Sequence, residues 1–423
     1  MQGKTLSIGL RAVLAVFALS LFAAETAAGQ EKVLYSFYNV GGSVLPVAGV
    51  ISDPSGNLYG TAFYGGDYDN GMVFELTPTA TGWTQTVLYS FNPNGVDGFG
   101  ATGGLVFDAS GNLYGTTEFG GTGNCTNGFG CGTVFELSPS GGGAWTETIV
   151  HNFQGSDGWE VHAGLITDAA GNLYGTTANG GTYGQGTAFE LSRGAGGSWT
   201  VTTLHHFTGG SDGGVPFGSL LLDGSGNLYG MTSAGGGKSA ECRYGCGTVF
   251  ELHRFKGGNW AEKTLHSFSQ NIEDGRYPYA GLVFDSSGNL YGVAGSGGGH
   301  LSSGIVFELT PAADGSWTET VLYNFNNQRP DGINPSGNLI FDTSGNLYGV
   351  TLLGGSHSHG TAFELSPAAS GSWTETTLHD FSDNDGDGYN PISGLTFDAA
   401  GNLYGTTGSG GLYGEGTAYE ITH

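Results

Sequence analysis

The feature that most constrains this chain is a pentapeptide, Gly-Asn-Leu-Tyr-Gly, beginning at Gly56, Gly111, Gly171, Gly226, Gly288, Gly345 and Gly401. A motif returning at spacings of 55, 60, 55, 62, 57 and 56 residues makes the chain an array of one unit. Each unit carries four short apolar segments, at 104–108, 112–117, 132–137 and 145–153 in the second copy, divided by small turns and one glycine-rich loop. The first and third segments are nearly continuous apolar runs, which predicts strands covered on both faces. Four strands per unit, stacked radially, form a propeller blade.

The ends of the array carry the same reading further. Residues 32–37 read as a fourth strand with no first three before it, and residues 416–421 as a third strand with no fourth after it. Joined, the two halves complete one blade and remove two exposed sheet edges. The predicted fold is therefore all-β, a single seven-bladed β-propeller domain over 30–423, closed by the N-terminal strand.

Residues 1–29 contain Lys4 and Arg11, an apolar run over 12–24 and a small-residue end at Ala27-Ala28-Gly29, the pattern of a secretory signal peptide. No later stretch is long and apolar enough for a membrane span, so a monomeric secreted, extracellular or periplasmic protein is expected. With 11 basic against 37 acidic residues, a net charge of −26, nucleic acid is excluded as a partner. Glycine, at 83 of 423 residues, could signal disorder, but 25 Phe, 20 Tyr and 7 Trp at fixed places in the unit require packed strands.

The segments GNLYGTT (111–117) and GTVFEL (132–137), with the Trp-Thr-Glu-Thr runs that open the fourth strands, resemble the GloVer tandem repeats of exported bacterial proteins with varied C-terminal anchors. The resemblance covers essentially all of the chain after residue 29. It implies export and a propeller-like β architecture, and it brings no established activity and no catalytic residues. The sequence stops at Thr422-His423 without a hydrophobic tail, from which free secretion or periplasmic residence is expected.

A catalytic site needs one constellation, so side chains present at the same place in every unit are read as architecture. These are the turn aspartates Asp53, Asp108, Asp168, Asp223, Asp285, Asp342 and Asp398, and the third-strand glutamates Glu75, Glu136, Glu190, Glu251, Glu308, Glu364 and Glu420. The glutamates need partners in apolar strands, with the repeated Tyr hydroxyls or backbone amides as candidates. The six Trp from Trp83 to Trp373 are expected to cover blade edges, with sugar stacking as the alternative.

Loops that vary over a rigid scaffold are where binding usually resides. In a four-stranded antiparallel blade the connections between blades and the loops between second and third strands emerge on one face, and length varies chiefly there. The interblade connections carry Asp97, Asp157, Asp212, Asp274, Asp331 and Asp387, each before Gly. They are read as turns steering the chain toward the axis or as a carboxylate ring around the channel. Asp383, Asp385 and Asp387 alternate as in a calcium loop, without the closing Glu of an EF-hand, so calcium is the only cofactor suggested. Cys125 with Cys131 and Cys242 with Cys246 read as two local disulfides, with zinc as the alternative. His300, His357 and His359 on adjacent loops could ligate a transition metal, and His205-His206 reads as packing. Trp159, Glu160 and His162 stand where other units carry small residues and form a candidate glycan contact.

The function expected is a non-catalytic binding or adhesion module for a glycan or an extracellular protein. The alternatives are a structural extracellular component and an enzyme acting on polysaccharide through two unlike carboxylates such as Glu160 and Asp212.

Overall fold

The computed structural model describes residues 30–422 except 40–41, 126–127, 239–241, 270–272, 300–302, 327 and 385. The expected signal peptide, His300 and Asp385 lie outside the described residues. Seven antiparallel sheets of the repeated unit form a seven-bladed propeller. In the second blade the strands are Val106–Phe107, Leu113–Thr117, Thr133–Gly141 and Ala144–Asn152, from the axis outward.

Closure occurs as the split unit requires. Gln30–Ser36 pairs antiparallel with Thr417–Thr422, from Gln30 opposite Thr422 to Ser36 opposite Thr417. A register shift between Val33 and Tyr35 matches the one in the outer hairpin of every other blade, such as that between Val73 and Phe74. Gln30–Ser36 is thus an ordinary fourth strand.

Neighbouring blades are joined by one aromatic contact repeated around the ring. The phenylalanine ending each fourth strand meets, edge to face, the third-strand ring of the next blade: Phe91 on Phe135 at 5.2 Å, Phe153 on Phe189 at 5.1 Å, Phe207 on Phe250 at 5.0 Å. The closing contact, Phe37 on Phe74 at 4.9 Å, has the same form. The fourth-strand tryptophans add to it: Trp145 packs on Tyr59 of the preceding blade and Trp199 on Tyr114. All six are partly buried, in keeping with a covering role.

Near the axis the blades touch backbone to backbone. A Cβ on Gly103 would lie 2.7 Å from the Ala163 carbonyl, and one on Gly49 2.9 Å from that of Gly394. Side chains are excluded there, and except in the sixth blade the paired part of the innermost strand is only two residues long, shorter than expected. The first Thr of GNLYGTT spans the same gap: Thr61, Thr116 and Thr406 donate to the carbonyls of Gly103, Ala163 and Ala48 in the following blade, at 3.1, 3.1 and 2.9 Å.

Phe37 is fully buried at the seam, so truncating it removes the contact that closes the circle. Phe37→Ala is expected to cost about 3–5 kcal/mol in denaturant unfolding, the range for a buried Phe. A loss below 1 kcal/mol, which is roughly the scale of a surface change, would contradict closure through this strand.

Candidate functional site

The repeated carboxylates are consumed by the scaffold. Asp53 Oδ1 accepts the backbone N–H groups of Ser55 and Asn57 at 2.8 and 2.9 Å, and its Oδ2 accepts Asn57 Nδ2 at 2.9 Å. The Tyr59 hydroxyl bridges from there to Glu75 Oε1 at 2.9 Å, which supplies the partner a carboxylate in an apolar strand needs. The same turn recurs at Asp108, Asp168, Asp223, Asp285, Asp342 and Asp398. Burial pushes Asp108, Asp168, Asp342 and Asp398 up, but the hydrogen bonds from their turns outweigh it and the net shift is downward.

The interblade aspartates tie each connection to the outer strand it leaves. Asp97 accepts from the Tyr89 hydroxyl and Asn92 N–H at 2.8 and 2.9 Å; Asp331 faces Tyr323 and Asn326 in the same way. In Asp157, Asp212, Asp274 and Asp387 the partner is a histidine: His151, His205, His266 and His379. The following glycine is required by close approach, since a Cβ on Gly98, Gly213 or Gly388 would overlap the hydroxyl of Thr117, Thr232 or Thr407. Among the described residues lining the channel there is no carboxylate, and the interblade aspartates are engaged by their own outer strands. His205 is a partner of Asp212 in addition to packing on Phe207.

Five junctions carry a second carboxyl, from the outer strand of the next blade. Burial, reinforced by the connecting aspartate, pushes Glu31, Glu147, Glu262 and Glu375 up to about 7, and moves Glu319 in the same direction. Asp97 Oδ1 and Glu147 Oε1 are both buried without a hydrogen-bond partner, the condition under which one carboxyl of a pair keeps its proton.

Other sequence candidates separate. Cys125–Cys131 and Cys242–Cys246 are disulfides, each within one loop between second and third strands, and no free cysteine remains for zinc. His357 faces Asp380 at 3.6 Å and His359 faces Asp383 at 3.8 Å, so these two histidines do not converge, and Asp331 is engaged elsewhere. Asp383 is exposed while Asp387 turns inward to His379 and Ser382. Glu160 approaches Asn179, and Asp212 is held by His205 and Thr208, so each has its own partners. Trp159 packs against the core cluster shared by the second and third blades.

What the scaffold leaves free is the mouth of the central channel, a cavity of about 690 Å³ lined by the first strands of all seven blades. Six residues before each turn aspartate the chain places Val47, Thr102, His162, Phe217, Tyr279, Ser336 and Ile392, all seven on the lining and none fully buried. One scaffold position thus holds seven different side chains, whereas the positions just below it are almost all Gly or Ala. Three of the seven form an arc: His162 to Phe217 at 4.6 Å and Phe217 to Tyr279 at 5.4 Å between ring centres. Behind it, Glu118 Oε2 lies 3.4 Å from His162 Nδ1. Burial, with Glu160 nearby, pushes Glu118 up to about 7, and burial lowers His162 to about 4, so above that pH the imidazole is neutral and the contact is not a salt bridge. The sequence reading found His162 and missed Phe217, Tyr279 and Glu118, and its expectation of small residues in the other units fails at this position, which holds Phe217, Tyr279 and Ile392. Aligning the units on their turn aspartates exposes the first two; Glu118 shows no such signal.

The profile of the Gloeobacter/Verrucomicrobia repeat family matches residues 18–240, 126–318 and 302–423. No curated protein matches the chain. Among solved structures, a chain described as the extracellular domain of a hybrid two-component system from B. thetaiotaomicron aligns at a TM-score of 0.56 with 10% identity. The alignment covers 92% of this chain and 40% of that one, so this chain spans about two fifths of its length. A luciferin-regenerating enzyme aligns at a TM-score of 0.44 with 15% identity, over 76% of this chain and 91% of its own. The first similarity is of fold. No helix among the described residues is long and apolar enough to cross a membrane.

The junction carboxyls set the pH response. Their folded-state values lie above the ordinary 4.5, so the folded protein holds protons that the unfolded chain has released. That stabilisation is complete below about 4.5 and is lost as pH rises through about 7. His162 and His205, lowered by burial, act oppositely, but they are two against five. In chelator-containing buffer the melting temperature is expected to fall by several degrees between pH 5 and pH 8. Glu147→Gln should flatten that slope and raise melting at pH 8; a slope unchanged by the substitution would show that the Asp97–Glu147 pair does not cause it.

Proposed function

The chain belongs to the Gloeobacter/Verrucomicrobia repeat family, and we propose that it is a non-catalytic binding propeller that holds carbohydrate at the channel mouth. The observation that carries this reading is the ring of seven unlike side chains at one equivalent position. Architecture repeats, so a position that the architecture leaves unrepeated is available for recognition. A cavity of about 690 Å³ has the size of a ligand site. The arc of Phe217 and Tyr279 offers flat apolar faces to the C–H side of a sugar ring, and His162, Thr102 and Ser336 on the same lining offer hydrogen bonds to its hydroxyls. The rest of this face is also aromatic: Tyr64, Phe129, Tyr183, Tyr244 and Tyr413, all on loops between second and third strands, are exposed.

Export to an extracellular or periplasmic compartment is part of the proposal. Its support is the pair of loop disulfides, a bond that forms and persists in oxidising surroundings and is rare in reducing ones.

Screening the purified protein against an array of polysaccharides and oligosaccharides tests the reading. Phe217→Ala and Tyr279→Ala, both partly exposed, are expected to leave melting unchanged and to weaken the saccharide that binds by at least about tenfold, or 1.4 kcal/mol. Absence of any retained saccharide, or retention indifferent to both substitutions, refutes the assignment.

A further inference from the structure

Four of the junctions described above place a histidine beside the connecting aspartate, and they differ in one respect. Between the second and third blades the glutamate position is Val201, and His151 Nε2 closes on Asp157 to 2.8 Å, an ordinary hydrogen bond. Between the third and fourth blades Glu262 is present but bonds the Thr264 hydroxyl at 3.0 Å, and His205 stays 3.0 Å from Asp212. At the two remaining junctions the residue matching Thr264 is Val321 or Val33, which offers no hydroxyl. There the glutamate turns to the histidine and aspartate, and the pair opens: His379 to Asp387 is 3.2 Å and His266 to Asp274 is 3.4 Å, with Glu319 Oε2 3.7 Å from His266 Nε2.

In both places one nitrogen and two carboxylate oxygens lie within 4.8 Å of one another. Zinc bonds of about 2.0–2.2 Å in tetrahedral geometry separate ligand atoms by roughly 3.3–3.6 Å, so the 3.4 Å between His266 and Asp274 is long for a hydrogen bond and right for coordination, the 3.7 Å to Glu319 is close to it, and His379, Asp387 and Glu31 reach it by small side-chain movements. Glu31 Oε1 and Glu319 Oε1 are buried and accept no hydrogen bond, which leaves each junction with an acceptor that the protein does not satisfy. We propose that His266, Asp274 and Glu319, and likewise His379, Asp387 and Glu31, each bind a divalent transition ion, zinc suiting the donor set best. Each ion staples the outer strand of one blade to that of the next, and the second reinforces the blade that closes the ring. A water completes each coordination sphere. The proposal is independent of the channel mouth.

Untagged full-length protein, stripped with chelator, is titrated with Zn²⁺ by calorimetry and with Co²⁺ by visible absorption. Two ions per chain are expected, with a higher melting temperature in zinc. Glu319→Val and Glu31→Val copy the residue that the third blade carries as Val201, and each should reduce the stoichiometry to one. Val321→Thr removes no ligand but supplies the hydroxyl that diverts Glu262 from its junction, and it should weaken one site at least tenfold. His357→Ala, at the exposed competing histidine, should leave two sites. No saturable zinc uptake, two sites persisting in either valine variant, or loss of a site in His357→Ala overturns the proposal; melting without metal reports whether each variant is folded.

Discussion

The edge-to-face contact between one blade's terminal fourth-strand phenylalanine and the third-strand ring of the next blade holds the molecule together. A lone blade of this sequence is apolar on both faces and can bury neither. Ring centres 4.9 to 5.3 Å apart at all seven interfaces place the pair in the favoured geometry for aromatic edges on faces. Only the seventh departs, with Tyr419 replacing phenylalanine against Phe381. Because the contact is the same everywhere, closing the ring through Phe37 requires no special device. It requires only that Gln30–Ser36 pair as the fourth strand of the seventh blade.

Around this contact the carboxylates divide by depth and by distance from the repeat. Those in the turns are hydrogen-bonded by their own turn, which moves Asp108, Asp168, Asp342 and Asp398 down. At the outer junctions the fourth-strand glutamates Glu31, Glu147, Glu262, Glu319 and Glu375 face a connecting aspartate across two blades, and burial moves them up. An acidic protein with this division is under electrostatic strain at its blade boundaries, where protons or cations relieve it. The channel mouth is the complement: among the described residues of its lining there is no carboxylate, and what varies there is shape and aromaticity.

Glu262 and Glu319 occupy the same place in the unit, yet one is held by a threonine hydroxyl and the other is free to turn toward a histidine. A single methyl-for-hydroxyl difference two residues along the strand decides which, since residues i and i+2 share a face of a strand.

The seven pentapeptides and the split unit at the ends were enough to read the fold, because strand number, order and closure follow from a repeat that cannot bury its faces alone. The turn aspartates and the cysteine pairs were equally legible, since their partners lie within a few residues in the chain. The channel-mouth arc and the junction triads were not. Phe217 and Tyr279 are 62 residues apart, and Glu31 and Asp387 are 356 apart, and only the radial packing of blades brings them together. Sequence therefore determined which side chains repeat, and so which belong to the scaffold. Tertiary structure decided where the unrepeated ones meet, because those meetings cross blade boundaries that no local spacing records.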